Sequence, residues 1–191
     1  MSAQSIATSK VSPKPRLTHF ALFVKDIDVM EKFYTDVIGL TPTDRGAFPN
    51  PDVDVDMVFM SSDPKEHHQF VLCTGRPEGI EFHLNQQMSF LIENLAELRE
   101  VRDRAKAAGV EEIRCRTHGN AWSIYFPDPE GNGIETYLHT PWYIPQPHSF
   151  EFDLDMTDEE VMKFTEEHCR ADPGFMMASE REAKMAAMMG L

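Results

Sequence analysis

Basic residues are scarce in this chain: 18 Lys and Arg stand against 32 Asp and Glu, for a net charge of −14. Nucleic acid is thereby excluded as a partner, because its phosphates call for clustered Lys and Arg. The acidic excess serves solubility. Cysteine is sparse as well. Cys73, Cys115 and Cys169 are odd in number, widely spaced and free of any Cys-x-x-Cys pair, which argues against a disulfide framework and against a structural zinc site. No apolar run approaches the ~18 residues of a membrane span. The first sixteen residues are small and polar, with Lys10, Pro13, Lys14, Pro15 and Arg16. They lack the apolar stretch of a signal peptide and read as a loose arm over 1–16. A reducing, cytoplasmic setting is expected. With 41% hydrophobic residues, the 191 residues suffice for one domain with appendages.

What is present is an internal repeat. His-Phe-Ala-Leu-Phe-Val-Lys-Asp-Ile-Asp-Val-Met over 19–30 lies on Gln-Met-Ser-Phe-Leu-Ile-Glu-Asn-Leu-Ala-Glu-Leu over 87–98 without a gap. Each copy reads as an apolar strand, an acidic or Asn turn and a helix, ending at Gly39-Leu40 and at Gly109-Val110. Two copies are too few for a solenoid and imply a pseudo-symmetric pair. In the first copy, strands are expected at 17–24, 55–61 and 67–74, a helix to about Val37, and a surface loop over the Pro- and Asp-rich 42–56. In the second, strands are expected at 88–93, 113–117, 121–126 and 134–139, with a helix over 95–108. The modules span 17–75 and 84–140 of a domain at 17–141. After Pro141, Trp142 to Pro147 is too proline-rich for either regular element. Thr157-x-x-Glu160 and Ser179-x-x-Glu182 are capping-box patterns that predict two helices in an extension over 142–191. Met185, Met188 and Met189 give the last one an adaptable apolar face, suited to core packing or a dimer contact.

Two stretches carry a resemblance: His19-Phe-Ala-Leu-Phe-Val-x-Asp with Phe33-Tyr34 and Gly39-Leu40 behind it, and Tyr125-Phe126-x-Asp128-Pro129-x-Gly131-Asn132-x-Ile134-Glu135. Over about 17–140 the chain resembles the vicinal oxygen chelate superfamily of glyoxalases, bleomycin- and fosfomycin-resistance proteins and type I extradiol dioxygenases. The resemblance implies an α+β fold in which paired βαβββ modules form one U-shaped mixed sheet around a divalent metal. It implies metal ligands at His19, Gln87 and Glu135. The fourth family position falls near Val71, which cannot ligate, and three protein ligands leave room for a bidentate catecholate and dioxygen, as in the dioxygenase branch. Fe(II) is the expected ion, with Mn(II), Zn(II) or Ni(II) as alternatives suited to imidazole and carboxylate. Gln87 departs from the His of the extradiol enzymes.

The same resemblance places Tyr125, ten residues before Glu135, as a hydrogen-bond donor and His118 as acid or base, two residues out of the family's register. Histidine is suited to moving a proton near neutral pH. His68 or Gln69 could supply an alternative ligand. Adjacent strand residues face opposite ways, so His67 and His68 could not serve one metal together. Asn120, Trp142 and Tyr143 could wall the pocket, the two aromatics closing it as a lid. A small aromatic substrate and dioxygen are the expected partners, within a homo-oligomer such as a dimer. The expected activity is extradiol-type ring cleavage of a catechol. A glyoxalase-type lyase or isomerase and a non-enzymatic module for a flat hydrophobic ligand are the alternatives.

Overall fold

The computed structural model describes residues 15–47, 55–79 and 85–191. The expected arm over 1–16 lies outside them except for Pro15 and Arg16. Strand β1 (Phe20–Val24) leads into helix α1 (Ile27–Phe33). The Asp26 carboxylate caps that helix by accepting from Val29 N at 3.0 Å. A π-helical turn at Tyr34–Ile38 continues it to Gly39, whose φ of +87° suits a residue without a Cβ. Strands β2 (Thr41–Ala47), β3 (Asp56–Ser61) and β4 (Phe70–Thr74) complete the first copy. The second copy runs β5 (Met88–Leu91), α2 (Leu95–Ala107), β6 (Arg114–Thr117), β7 (Ala121–Pro127) and β8 (Gly133–His139). Asn94 caps α2 through Glu97 N at 2.9 Å, and Gly109 ends it at φ +88°. Both caps and both glycines fall where the repeat predicts them.

The ladders repeat too. The first sheet has the order β1-β4-β3-β2, with β1 parallel to β4. The second runs β5-β8-β7-β6, with β5 parallel to β8, and gains β10 (Phe150–Glu151) beside β6. The fold is mixed α+β, as expected. The twin strands β1 and β5 are edges of their own sheets. A cavity of about 460 Å³ lies between them, lined by Leu17, Phe20 and Phe70 on one side and by Gln87, Met88, Ser89 and Phe90 on the other. Tyr34 ties the copies together. Its ring lies 4.5 Å from that of Phe70 and 6.3 Å from that of Phe90, and its hydroxyl donates to Asp128 at 2.9 Å.

Four local expectations need correction. Trp142 and Tyr143, read as part of a stretch without regular structure, form a short strand because they pair with Met176 and Met177. Residues 42–47, read as part of a surface loop over 42–56, lie instead in the edge strand β2. Every residue of β2 is exposed, so no apolar alternation marks it, and only its pairing with β3 makes it a strand. Strand β4 begins at Phe70, so His67 and His68 sit in the preceding turn, where opposite-face geometry does not apply. Helix α4 (Ala178–Met189) begins one residue before Ser179, with no side-chain cap, whereas α3 (Asp158–Arg170) carries the full Thr157–Glu160 capping box.

The extension packs on the second copy. Trp142, in β9 (Trp142–Tyr143), meets Trp122 edge-on at 5.9 Å, and β11 (Met176–Met177) pairs with β9. Arg99 of α2 donates to the carbonyls of Leu154 and Met156 at 2.9 and 2.7 Å. Among the described residues no helix is long and apolar enough to cross a membrane.

Candidate metal centre

The second sheet assembles the centre. Register places Tyr125 opposite Glu135 on β7 and β8, and Ser89 beside Glu135 on β5. These side chains share one face, because cross-strand neighbours point the same way. Gln87 stands two residues before Ser89, at the mouth of β5. A Cβ at Gly133 would lie 2.7 Å from the Gln86 carbonyl oxygen, so glycine at this position lets the start of β5 approach β8.

Glu135 is 8% exposed. One carboxylate oxygen accepts from Gln87 Nε2 at 2.7 Å and from Ser89 Oγ at 2.6 Å, and the other accepts the Tyr125 hydroxyl. Among the described residues no Lys or Arg pairs with it. A buried carboxylate collecting three donors but no cation is a site with anionic charge to share, which suits a divalent ion. Burial first, then the hydrogen bond and charge of Glu135, push the Tyr125 hydroxyl far above the usual phenol range. At neutral pH Tyr125 is therefore a proton donor.

Behind Tyr125 stands His118, with Nε2 at 2.6 Å from the phenol oxygen and Nδ1 at 2.9 Å from the His148 carbonyl. A carbonyl only accepts, so Nδ1 carries a hydrogen. One phenol proton cannot fill both contacts of Tyr125 at once. The second contact needs a further proton, on His118 Nε2 or on Glu135. His118, Tyr125 and Glu135 therefore form a chain along which one proton has two places to reside.

The first sheet presents a separate histidine group. His19 stands exposed just before β1, its ring edge-on to that of His68 at 4.7 Å. His67 Nδ1 lies 2.9 Å from His68 Nδ1, and His67 Nε2 lies 2.6 Å from Asp44. Burial, then the neighbouring His19 and His67, lower the pKa of His68 and favour its neutral, ligating form. Gln69 turns its amide oxygen to Ser61 and Ser62, which donate to it. No hydrogen bond, ion pair or ring contact among the described residues joins His19 to Gln87 or Glu135. No three His, Cys, Asp or Glu side chains among them group to hold a metal. The expected set has only two of these types, plus Gln87, whose amide nitrogen faces Glu135. Turning that amide over would present its oxygen at the same place.

The expected pocket walls lie elsewhere. Trp142 is 3% exposed and packed on Trp122, and Tyr143 lies under the Arg181 guanidinium at 4.7 Å. Asn120 Oδ1 accepts from Gln146 at 3.3 Å. Sequence reasoning missed Ser89, although the strand period two residues after Gln87 pointed at it. It also missed His148, which no local signal marks.

Comparison with known proteins agrees with this arrangement of repeats. The profile of the Glyoxalase/Bleomycin resistance protein/Dioxygenase superfamily matches residues 16–136. The chain is 29% identical over 129 residues to a biphenyl-2,3-diol 1,2-dioxygenase of Rhodococcus globerulus, covering 65% of this chain and 63% of that protein. It thus spans less than two thirds of that relative's length. A glyoxylase/bleomycin resistance protein/dioxygenase domain from Frankia sp. EAN1pec shares the fold with a TM-score of 0.55 at 19% identity, covering 67% of this chain and 100% of that one. A fosfomycin resistance protein from Listeria monocytogenes, complexed with Mn(II) and sulfate, does so at 0.52 and 20%, covering 67% and 95%. These likenesses to solved structures are of fold. With the twinned caps, the twinned ladders and the match over most of its length, the chain belongs to the glyoxalase/bleomycin resistance protein/dioxygenase superfamily.

Proposed function

We propose that the chain is a metal-dependent, extradiol-type ring-cleaving dioxygenase acting on a catechol-like aromatic. The observation that carries this reading is the Tyr125 hydroxyl held between His118 Nε2 and the buried Glu135 carboxylate. Glu135, His19 and the oxygen of Gln87 would hold the ion. Bound there, it would supply Lewis acidity and, as Fe(II), electron exchange with dioxygen. Tyr125, kept protonated by its surroundings, donates to an oxygen entering beside Glu135. His118 takes a substrate hydroxyl proton through Tyr125 and returns it later. The repeats at 17–75 and 84–140 form the catalytic unit and 142–191 is an extension of it. The dioxygenase relative supports the reaction class. The free Cys73, Cys115 and Cys169 support a reducing, cytoplasmic setting. The protein loaded with Fe(II) should consume dioxygen and form a yellow ring-fission product from simple or aryl-substituted catechols. Failure of both across a broad panel sinks the reading.

Gln87 favours a second reading. An amide is a neutral, hard ligand, and a metal held by it could act purely as a Lewis acid in a lyase or isomerase. Activity with Zn(II), Ni(II) or Co(II) under anaerobic conditions would distinguish this from the first.

A further inference from the structure

His118 is held in part by residues beyond the stretch that matches the superfamily. The match ends at residue 136, yet the His148 carbonyl accepts from His118 Nδ1 at 2.9 Å and Gln146 Nε2 donates to the His118 carbonyl at 2.7 Å. Strand β10 pairs Phe150 and Glu151 with Thr117 and Arg116, immediately before His118. Arg116 Nε donates to Ser149 Oγ at 2.8 Å. Residues 146–151 therefore grip both the backbone and the ring of His118.

That grip is anchored from further away. The His148 ring meets Phe150 edge-on at 5.6 Å, Phe150 stacks on His168 at 5.0 Å, and Phe164 lies 6.1 Å from Phe150. His168 and Phe164 belong to α3. Ring contacts thus run from α3 through Phe150 to His148, whose backbone carbonyl holds Nδ1 of the ring that faces Tyr125. A carbonyl at Nδ1 keeps a hydrogen on that nitrogen, which leaves Nε2 as the atom that exchanges a proton with the phenol. Without that carbonyl the neutral imidazole could hold its only hydrogen on Nε2, and that nitrogen could then take no proton through Tyr125.

We infer that segment 146–151, braced by α3, is a positioning element that sets the tautomer and orientation of His118, with Gln146, His148 and Phe150 as positioning residues. This rests on His118 being the acid–base group, and it makes the extension a working part of the site. Two substitutions test it: Gln146→Ala at an exposed side chain, and Phe150→Ala, which removes the ring between His148 and α3. Nitrogen NMR of isotope-labelled histidine in the metal-free protein reads the tautomer, with His118 assigned through His118→Asn. Both variants should move the His118 ring toward the Nε2-protonated tautomer. In the metal-loaded protein kcat should fall about tenfold, as for other residues that orient a reacting group, with KM and metal content unchanged. Phe150→Tyr should restore both readouts. Ring signals identical to wild type in folded Gln146→Ala and Phe150→Ala overturn the inference. If the wild-type protein turns over no catechol, the dioxygenase reading falls while the NMR comparison still decides the positioning role.

Discussion

Arg76 reaches Glu130 at 3.0 Å with their side chains 8% and 9% exposed, and the pair joins the end of the first repeat to the last turn of the second. The same carboxylate accepts from the backbone of Lys25 at 2.6 Å and Asp26 at 3.0 Å, at the start of α1. Glu130 therefore satisfies donors from both ends of the first repeat. Burial makes this pair costly to break from one side, because the remaining charge keeps its desolvation cost.

Glu130→Ala should accordingly lower the unfolding free energy by roughly 3 kcal/mol or more, the range for one partner lost from a buried ion pair. Urea denaturation measures it. A change below about 1 kcal/mol, typical of surface pairs, would show that the pair is not a principal tie between the repeats.

Tyr125→Phe removes the hydroxyl that Glu135 and His118 share while keeping the ring. Turnover of the catechol substrate should fall on the order of a hundredfold, the scale of general acid–base assistance. Substrate KM should change little. Steady-state kinetics decide it, and wild-type kcat in the variant would remove Tyr125 from the chemistry.

Glu135→Ala should lose the metal, measured by elemental analysis after dialysis, because it removes the one anionic donor of the proposed set. Gln87→His should raise Fe(II) affinity, since imidazole binds it better than an amide oxygen. If Gln87→His leaves affinity unchanged while Glu135→Ala abolishes it, Gln87 is no ligand. The third donor must then be sought at His68.

Alkali should act through Tyr34. Burial, then the charge of Asp128 and the hydrogen bond to it, hold its hydroxyl well above the ordinary phenol range. A folded pKa above the unfolded one means that the unfolded chain releases its proton first. The stabilising contribution is therefore complete below about pH 10 and is lost as pH rises through the folded value. Chemical denaturation in steps above that pH should show stability falling less steeply for Tyr34→Phe than for wild type. Parallel slopes would refute the assignment.

Legibility differed from element to element. The caps Asp26 and Asn94 and the stops Gly39 and Gly109 were readable because capping and left-handed turns depend on neighbours a few residues away. Strand β2 was not, because its seven residues are all exposed and only β3 makes it a strand. Ser179 misled because the pairing of Met176 and Met177 with β9 leads directly into α4 and makes Met177 its N-cap, two residues before Ser179.

Glu135, Tyr125 and Gln87 could be singled out from their places in the repeat and from a family pattern. Strand alternation then sets which face each occupies. What surrounds them depended on the whole fold. Ser89 reaches Glu135 because β5 runs parallel to β8. His148 reaches His118 across thirty residues because β10 adds to β6. Trp142 enters the core through Trp122, because packing two large aromatic rings together removes both from water. The sequence by itself determined the twofold repeat, the helix boundaries of that repeat and the residue types able to do chemistry, all of them consequences of local pattern. Only the tertiary structure decided which donors share the carboxylate and which nitrogen of His118 faces Tyr125, because hydrogen bonds between distant segments are set by how the sheets and the extension pack.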